Sequence, residues 1–172
     1  MSCVGTFSPD ALDVIISNDE MTHVLTGFVE GTFVSIEPFA ERVTPSYGAR
    51  GEAYRVMNPV SAFNMTVSLS QTSHSNDILH RLLQLDRQTF DGTFNILVKD
   101  SSGTTLLSER CAYIGTEPTV SFSGGGTLEG REWAIHLPKP QYVIGGNSRF
   151  TPDEASNYEA LGGNIDAQWQ PQ

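Results

Sequence analysis

Histidine, cysteine and serine carry much of the chemistry proteins do at neutral pH, and this chain scatters all three. His23, His74, His80 and His136 form no HExxH pair and no Cys/His spacing that would hold zinc. His80 stands three residues after Asp77, a separation that puts both on one helix face, and a solvated surface pair explains it without a metal. Cys111 sits in an apolar run and reads as a small core residue. With Cys3 near the N-terminus it gives no disulfide framework, which fits a reducing compartment. The stretch SGGGTLEG has the glycines of a phosphate-cradling loop but not its Lys-Ser/Thr ending, and the REWAIHL that follows alternates as a strand. No serine lies in a GxSxG elbow. The glycosylation-type triplet Asn64–Thr66 falls inside a strand of a chain that shows no secretory signal. These residues assemble no catalytic constellation, so the expectation is a protein that is not an enzyme and uses no cofactor or metal.

The elements that hold them are mostly strands. Leu12 to Ile16 starts a strand that stops at the turn signal SNDE. Gly27 and Gly31 then separate two short strands, the second ending at Pro38. From Phe39 to Pro59 the pattern weakens into a long hairpin arm with YGARG near its tip. Phe63, Met65, Val67 and Leu69 alternate with Asn64, Thr66, Ser68 and Ser70, a strand whose wet side carries no charge. Solvent-facing strands usually carry charges that discourage pairing. A helix follows over about residues 75–86, with Ser75 or Asn76 as N-cap, Asp77 in the first turn and an apolar stripe of Leu79, Leu82, Leu83 and Leu85 that suits core packing. Phe94, Ile96 and Val98 alternate next. KDSSGTT is a tight turn, TLLSERCAYIG its return strand, and Trp133, Ile135 and Leu137 mark a last long strand. After Arg149 there are no basic residues, and Asp153, Glu154, Glu159 and Asp166 make the stretch an acidic appendage, ordered on docking.

Composition narrows the partners. The 172 residues suit one domain, and 16 glycines with 9 prolines suit a turn-rich β chain. Twenty acidic against ten basic side chains give a formal net charge of -10, and Lys99 and Lys139 are the only lysines. Such a surface repels phosphate backbones, which excludes a sequence-reading nucleic-acid binder. No segment approaches the apolar length of a membrane span, and the N-terminus lacks a basic region followed by an apolar one, so a soluble chain is expected.

Taken in order, TGF and GTFV (Thr26–Val34), the arm with GEAYRV, the polar-faced strand running into an SND-started helix, VKDSSGTTL and a final REW strand before GGN resemble the tail tube proteins of contractile-tailed bacteriophages. The resemblance covers about Asp10 to Asn147. It implies a mainly β fold, a β-sandwich or barrel with one short α-helix and a long hairpin arm, over residues 1–147, with 148–172 as a C-terminal extension outside the family pattern. It further implies hexameric rings stacked into a tube, each subunit giving four strands to the wall of the channel. Partners would be further copies of the chain, the tail sheath protein, the baseplate and the tail terminator proteins. Location would be the virion, after assembly in the host cytoplasm.

A channel for genome ejection has to pass DNA without holding it, and cations on its wall would add phosphate contacts. On this basis Ser35, Glu37, Asn64, Thr66, Ser68 and Ser70 are expected to line the lumen. Glu41, Arg42, Arg50, Glu52 and Arg55 give the arm both charge signs and suit it to contact between rings, where complementary charge sets register. Two neighbouring roles share the resemblance: a baseplate or tail-completion protein, and the tube of a phage-derived injection system. A carbohydrate-binding β-sandwich is the alternative of another class. It would show exposed aromatics clustered on one face.

Overall fold

Apolar residues at every second position dictate strands with one dry side, and the computed structural model describes such a fold for residues 5–126 and 128–171; Cys3 lies outside them. The strands are β1 (Leu12–Ser17), β2 (Thr22–Val24), β3 (Val34–Pro38), β4 (Val43–Tyr47), β5 (Ala53–Met57), β6 (Phe63–Ser70), β7 (Phe94–Asp100), β8 (Leu106–Thr116), β9 (Gly130–Leu137) and β10 (Gln141–Val143). The helices are α1 (Ser75–Thr89) and α2 (Pro152–Ala160). The expected mainly β architecture is therefore present, and α2 adds a second helix to the one expected.

Strand β8 belongs to two layers. Up to Ala112 it pairs with β7, which pairs with β1 and then β2, while β10 lies along its other side. From Tyr113 onward it pairs with β9, followed by β6 and β3. All these pairings are antiparallel. The strand changes layer at a bulge: Ile96 faces Glu109, but Phe94 faces Ala112, so β8 carries one extra residue. Amides at a bulge lose their ladder partners. Here Glu109, only 6% exposed, replaces them. One carboxylate oxygen accepts the N–H groups of Arg110 (2.8 Å) and Cys111 (3.0 Å), and the other accepts that of Lys139 (2.7 Å). The extra residue also resets the in–out alternation, leaving Cys111 exposed and not in the core as the sequence pattern suggested.

The core lies between the layers. Val14 and Ile16 of β1 and Phe94, Ile96 and Val98 of β7 meet Met65, Val67 and Leu69 of β6 and Trp133, Ile135 and Leu137 of β9, with Leu79, Leu82 and Leu83 of α1 in the same cluster. The amphipathic helix thus hides Leu79, Leu82 and Leu83 as expected, while Leu85 of the expected stripe is only half-buried and lies outside this cluster. Its start differs from expectation. Ser75 and Asn76 do not cap it; both stand inside its first turn. Ser75 is fully buried, and its hydroxyl accepts the N–H of Thr26 (3.1 Å) and bonds His23 (2.9 Å). Asn76 donates to the carbonyls of Ser70 and Ser73 and accepts the indole N–H of Trp133 (2.9 Å). Both side chains lock the helix to the sheets. The opening amide of Ser75 is met by the hydroxyl of Ser73 (3.2 Å). Gly27 permits the close approach of that turn: its φ is 76°, and a Cβ there would strike Ser73.

Two pieces stand apart from the sandwich. Strands β4 and β5 pair only with each other, and all ten of their residues are exposed. After Asn147 the chain forms α2, begun by a complete capping box between Thr151 and Glu154. Ala155 and Ile165 are buried there, the Phe150 and Tyr158 rings lie 5.3 Å apart, and the N–H of Phe150 donates to the carbonyl of Trp169 (3.1 Å). The acidic stretch thus builds a small packed unit of its own, where order only on docking was expected.

Candidate functional site

Residues directly opposite across antiparallel strands share a face, so strand register decides which polar residues meet. Ser35 faces Thr66 and Glu37 faces Asn64 between β3 and β6. On the other side of β6, Asn64 faces His136, Thr66 faces Ala134, Ser68 faces Glu132 and Ser70 faces Gly130. Tyr113 and Thr116 of β8 continue the row beside His136 and Ala134. One layer of four strands therefore carries one polar face, and Ser35, Glu37, Asn64, Thr66, Ser68 and Ser70 all lie on it. Among the described residues no lysine or arginine does. Arg131 falls on the other side, opposite Leu69, with its guanidinium 5.5 Å from the Phe122 ring centre.

Exposure on this face is uneven. Asn64 and Glu37 are open, and Thr66, Ser35 and Ser70 are half-buried. Ser68 is only 7% exposed. The segment from Phe28 to Phe33 lies against β6 at that point: Ser68 donates its N–H to Phe33 (2.8 Å) and accepts that of Val29 (3.2 Å). At the other end of the face Asn64 and His136 are hydrogen-bonded (2.9 Å), with the rings of Phe39 and Tyr113 at 5.4 and 5.2 Å from the imidazole. The middle of the face opens into a trough of about 1120 Å³ whose lining includes Thr66, Ser68, Ser70, Glu30, Glu129 and Glu132. The sequence pattern missed Glu132, His136, Tyr113 and Thr116 as members. Their own alternation in REWAIHL and CAYIGT was legible, but only pairing shows which strands are neighbours.

Two strand edges of this layer are unpaired among the described residues. One is the outer edge of β3. The other is the second half of β8, which leaves β7 at Ala112 and has β9 on one side only.

The arm residues are spread over its length. Glu41 and Arg42 stand at its base, beside an apolar pocket of about 460 Å³ formed with Phe39, Val60, Phe63 and Tyr142. Arg50 and Glu52 meet at the tip, where the Glu52 carboxylate accepts the Arg50 N–H (3.2 Å). Arg55 lies midway along β5, opposite Pro45.

The residues first considered for chemistry stay apart. Asp77 pairs with His74 (3.2 Å) and not with His80, which bonds Gln84 (3.0 Å). Among the described residues no three His, Cys, Asp or Glu side chains are placed to hold a metal ion, and no helix is long and apolar enough to cross a membrane.

The chain matches no family model. It is 38% identical over 169 residues to the "Structural protein ORF10" of Pseudomonas phage KPP10, covering 96% of each chain. Its fold is similar to that of the anti-feeding prophage cap (AFP tube terminating cap), with a TM-score of 0.55 at 8% identity, covering 84% of this chain and 95% of that one. It is also similar to the sheath/tube terminator of an extracellular contractile injection system in its extended state (PVC), with a TM-score of 0.54 at 11% identity, over 83% and 100% of the two chains.

Proposed function

Because the chain belongs to the family of the phage structural protein ORF10, we propose that it is a subunit of a contractile phage tail tube, closing into hexameric rings that stack around a DNA channel. The observation that carries this is the four-strand polar layer with no cation on its face and a free strand edge on either side. A closed ring needs two different surfaces that fit each other head to tail. The edges of β3 and of the Tyr113–Thr116 segment are such a pair, since each offers unmet backbone donors and acceptors. Joined copy to copy, the layers would form a continuous wall with the polar face inward. That wall would present hydroxyls, amides and carboxylates to a polyanion and offer it no counterion-releasing contact. As a family of phage structural proteins its place is the virion, and the sheath, baseplate and terminator would be its partners there.

A second reading has its own support. Both structural likenesses are to proteins that end a tube, and a terminator would also close into a ring but would stop there. Electron microscopy of the purified chain separates the two. Stacks of many rings support the tube subunit, single rings that do not stack support the terminator, and a monodisperse monomer contradicts both.

A further inference from the structure

Phe90 is at odds with its surroundings twice over. It ends α1 in the left-handed conformation (φ 56°), where helices commonly place a glycine because a Cβ is strained there. Among the described residues every other positive φ belongs to glycine. Its side chain is also 89% exposed, so packing within the chain does not offset that strain. A strained backbone that presents a bare aromatic side chain points to a use outside the fold.

Its neighbours fix its place. Arg87, one turn earlier, is ion-paired with Glu117 just past the end of β8, and Phe94, four residues later, faces Ala112, where β8 leaves β7. Residues 87–94 therefore run beside the unpaired half of β8. They do so on the core side of the layer, because α1 buries Leu79, Leu82 and Leu83 between the layers. The other free edge has a matching need. Ser35 and Glu37 of β3 lie on the polar face, while Val34 and Ile36 turn toward the core and remain only half-buried. Four strands that alternate in direction leave β3 and β8 running oppositely. Two copies can then join these edges antiparallel with their polar faces on one side, which sets Phe90 of one copy on the same side as Val34 and Ile36 of the next.

We infer that Phe90 is the apolar lock of the ring contact, its aromatic side chain packing on Val34 and Ile36 of the next copy. This rests on the ring closure of the proposed function and names the side chains that hold it. The test uses the purified full chain. Phe90→Asn keeps a left-handed turn that asparagine tolerates and removes the aromatic group. Its urea midpoint, measured below the ring-forming concentration, should be unchanged or higher, whereas a role within the fold would lower it. The concentration at which half the chain is in rings, read by analytical ultracentrifugation, should rise about tenfold. A second measurement reads position: Phe90→Cys with Ile36→Cys, in a Cys3→Ser, Cys111→Ser background, should oxidise to a ladder of cross-linked copies. Within one copy β3 and β8 lie three strand spacings apart, about 14 Å, too far for a disulfide, so a cross-link joins copies. If the unaltered chain never forms rings, the ring reading fails. If it does, but Phe90→Asn lowers the midpoint or leaves the ring-forming concentration unchanged, or the cysteine pair stays monomeric, the ring reading stands and Phe90 is not its lock.

Discussion

A lysine at position 66 and one at position 68 of the same strand meet different surroundings. Thr66 is half-buried on the open polar face, whereas Ser68 is buried where the Phe28–Phe33 segment hydrogen-bonds to its backbone. Thr66→Lys should leave folding and ring formation intact and reduce DNA delivery, measured as infectivity of virions carrying the change. Ser68→Lys should lower the folding midpoint in a denaturant titration, because a long charged side chain would be desolvated at a position only 7% exposed, a cost that the facing Glu132 offsets only in part. Normal infectivity with Thr66→Lys would remove that position from the channel wall. Glu109 is a second residue whose role is specific. Its two oxygens accept three backbone amides, and deleting them leaves part-buried donors unmet at about 1 kcal/mol each. Glu109→Ala should therefore destabilise the chain by about 3 kcal/mol in urea unfolding. The period-two alternation made the polar face of β6 legible in the sequence. The burial of Ser68 was not, because it depends on a segment about forty residues earlier in the chain lying against it.

At the scale of elements, α1 holds the core through Leu79, which has no exposed surface. Leu79→Ala should cost about 3 kcal/mol and leave a cavity, read by the same titration. Helix α2 depends on its cap. The amide of Thr151 and then its hydroxyl both donate to the Glu154 carboxylate (2.9 and 2.8 Å) and hold it below the ordinary glutamate value of 4.5. A lowered folded pKa means the cap contributes fully above that value and is lost as pH falls through the lower one. The protection factor of the Ala155 amide, whose N–H donates to the Thr151 carbonyl, should fall in that acidic window, and Glu154→Gln should flatten the dependence. The helix of residues 75–89 was legible from its stripe, and the arm from its glycines and weakened pattern. Helix α2 was not expected, although its Thr-Pro-Asp-Glu start is what a capping box requires. Acidity and sparse apolar residues hid it, since composition averages over the local pattern that sets a helix.

For the molecule as a whole, the two-layer arrangement turns on the bend in β8, and that bend rests on a bulge. The run LLSERCAYIGT reads as one strand with a glutamate in it; nothing local shows that Glu109 turns inward to serve amides from two segments. The assignment of Cys111 to the core failed for the same reason, because one inserted residue shifts every later side chain to the other face. The proposed function rests on the same bend, which releases the second half of β8 from β7 and frees the edge that the proposed ring would use. A reconstruction by electron microscopy of particles assembled from the purified chain tests this most directly. The expected result is a ring in which β3 of one copy pairs with the Tyr113–Thr116 segment of the next, around a bore faced by Glu37, Asn64 and Thr66. A bore lined by the arm's arginines, or copies joined through other edges with no bore, would contradict it.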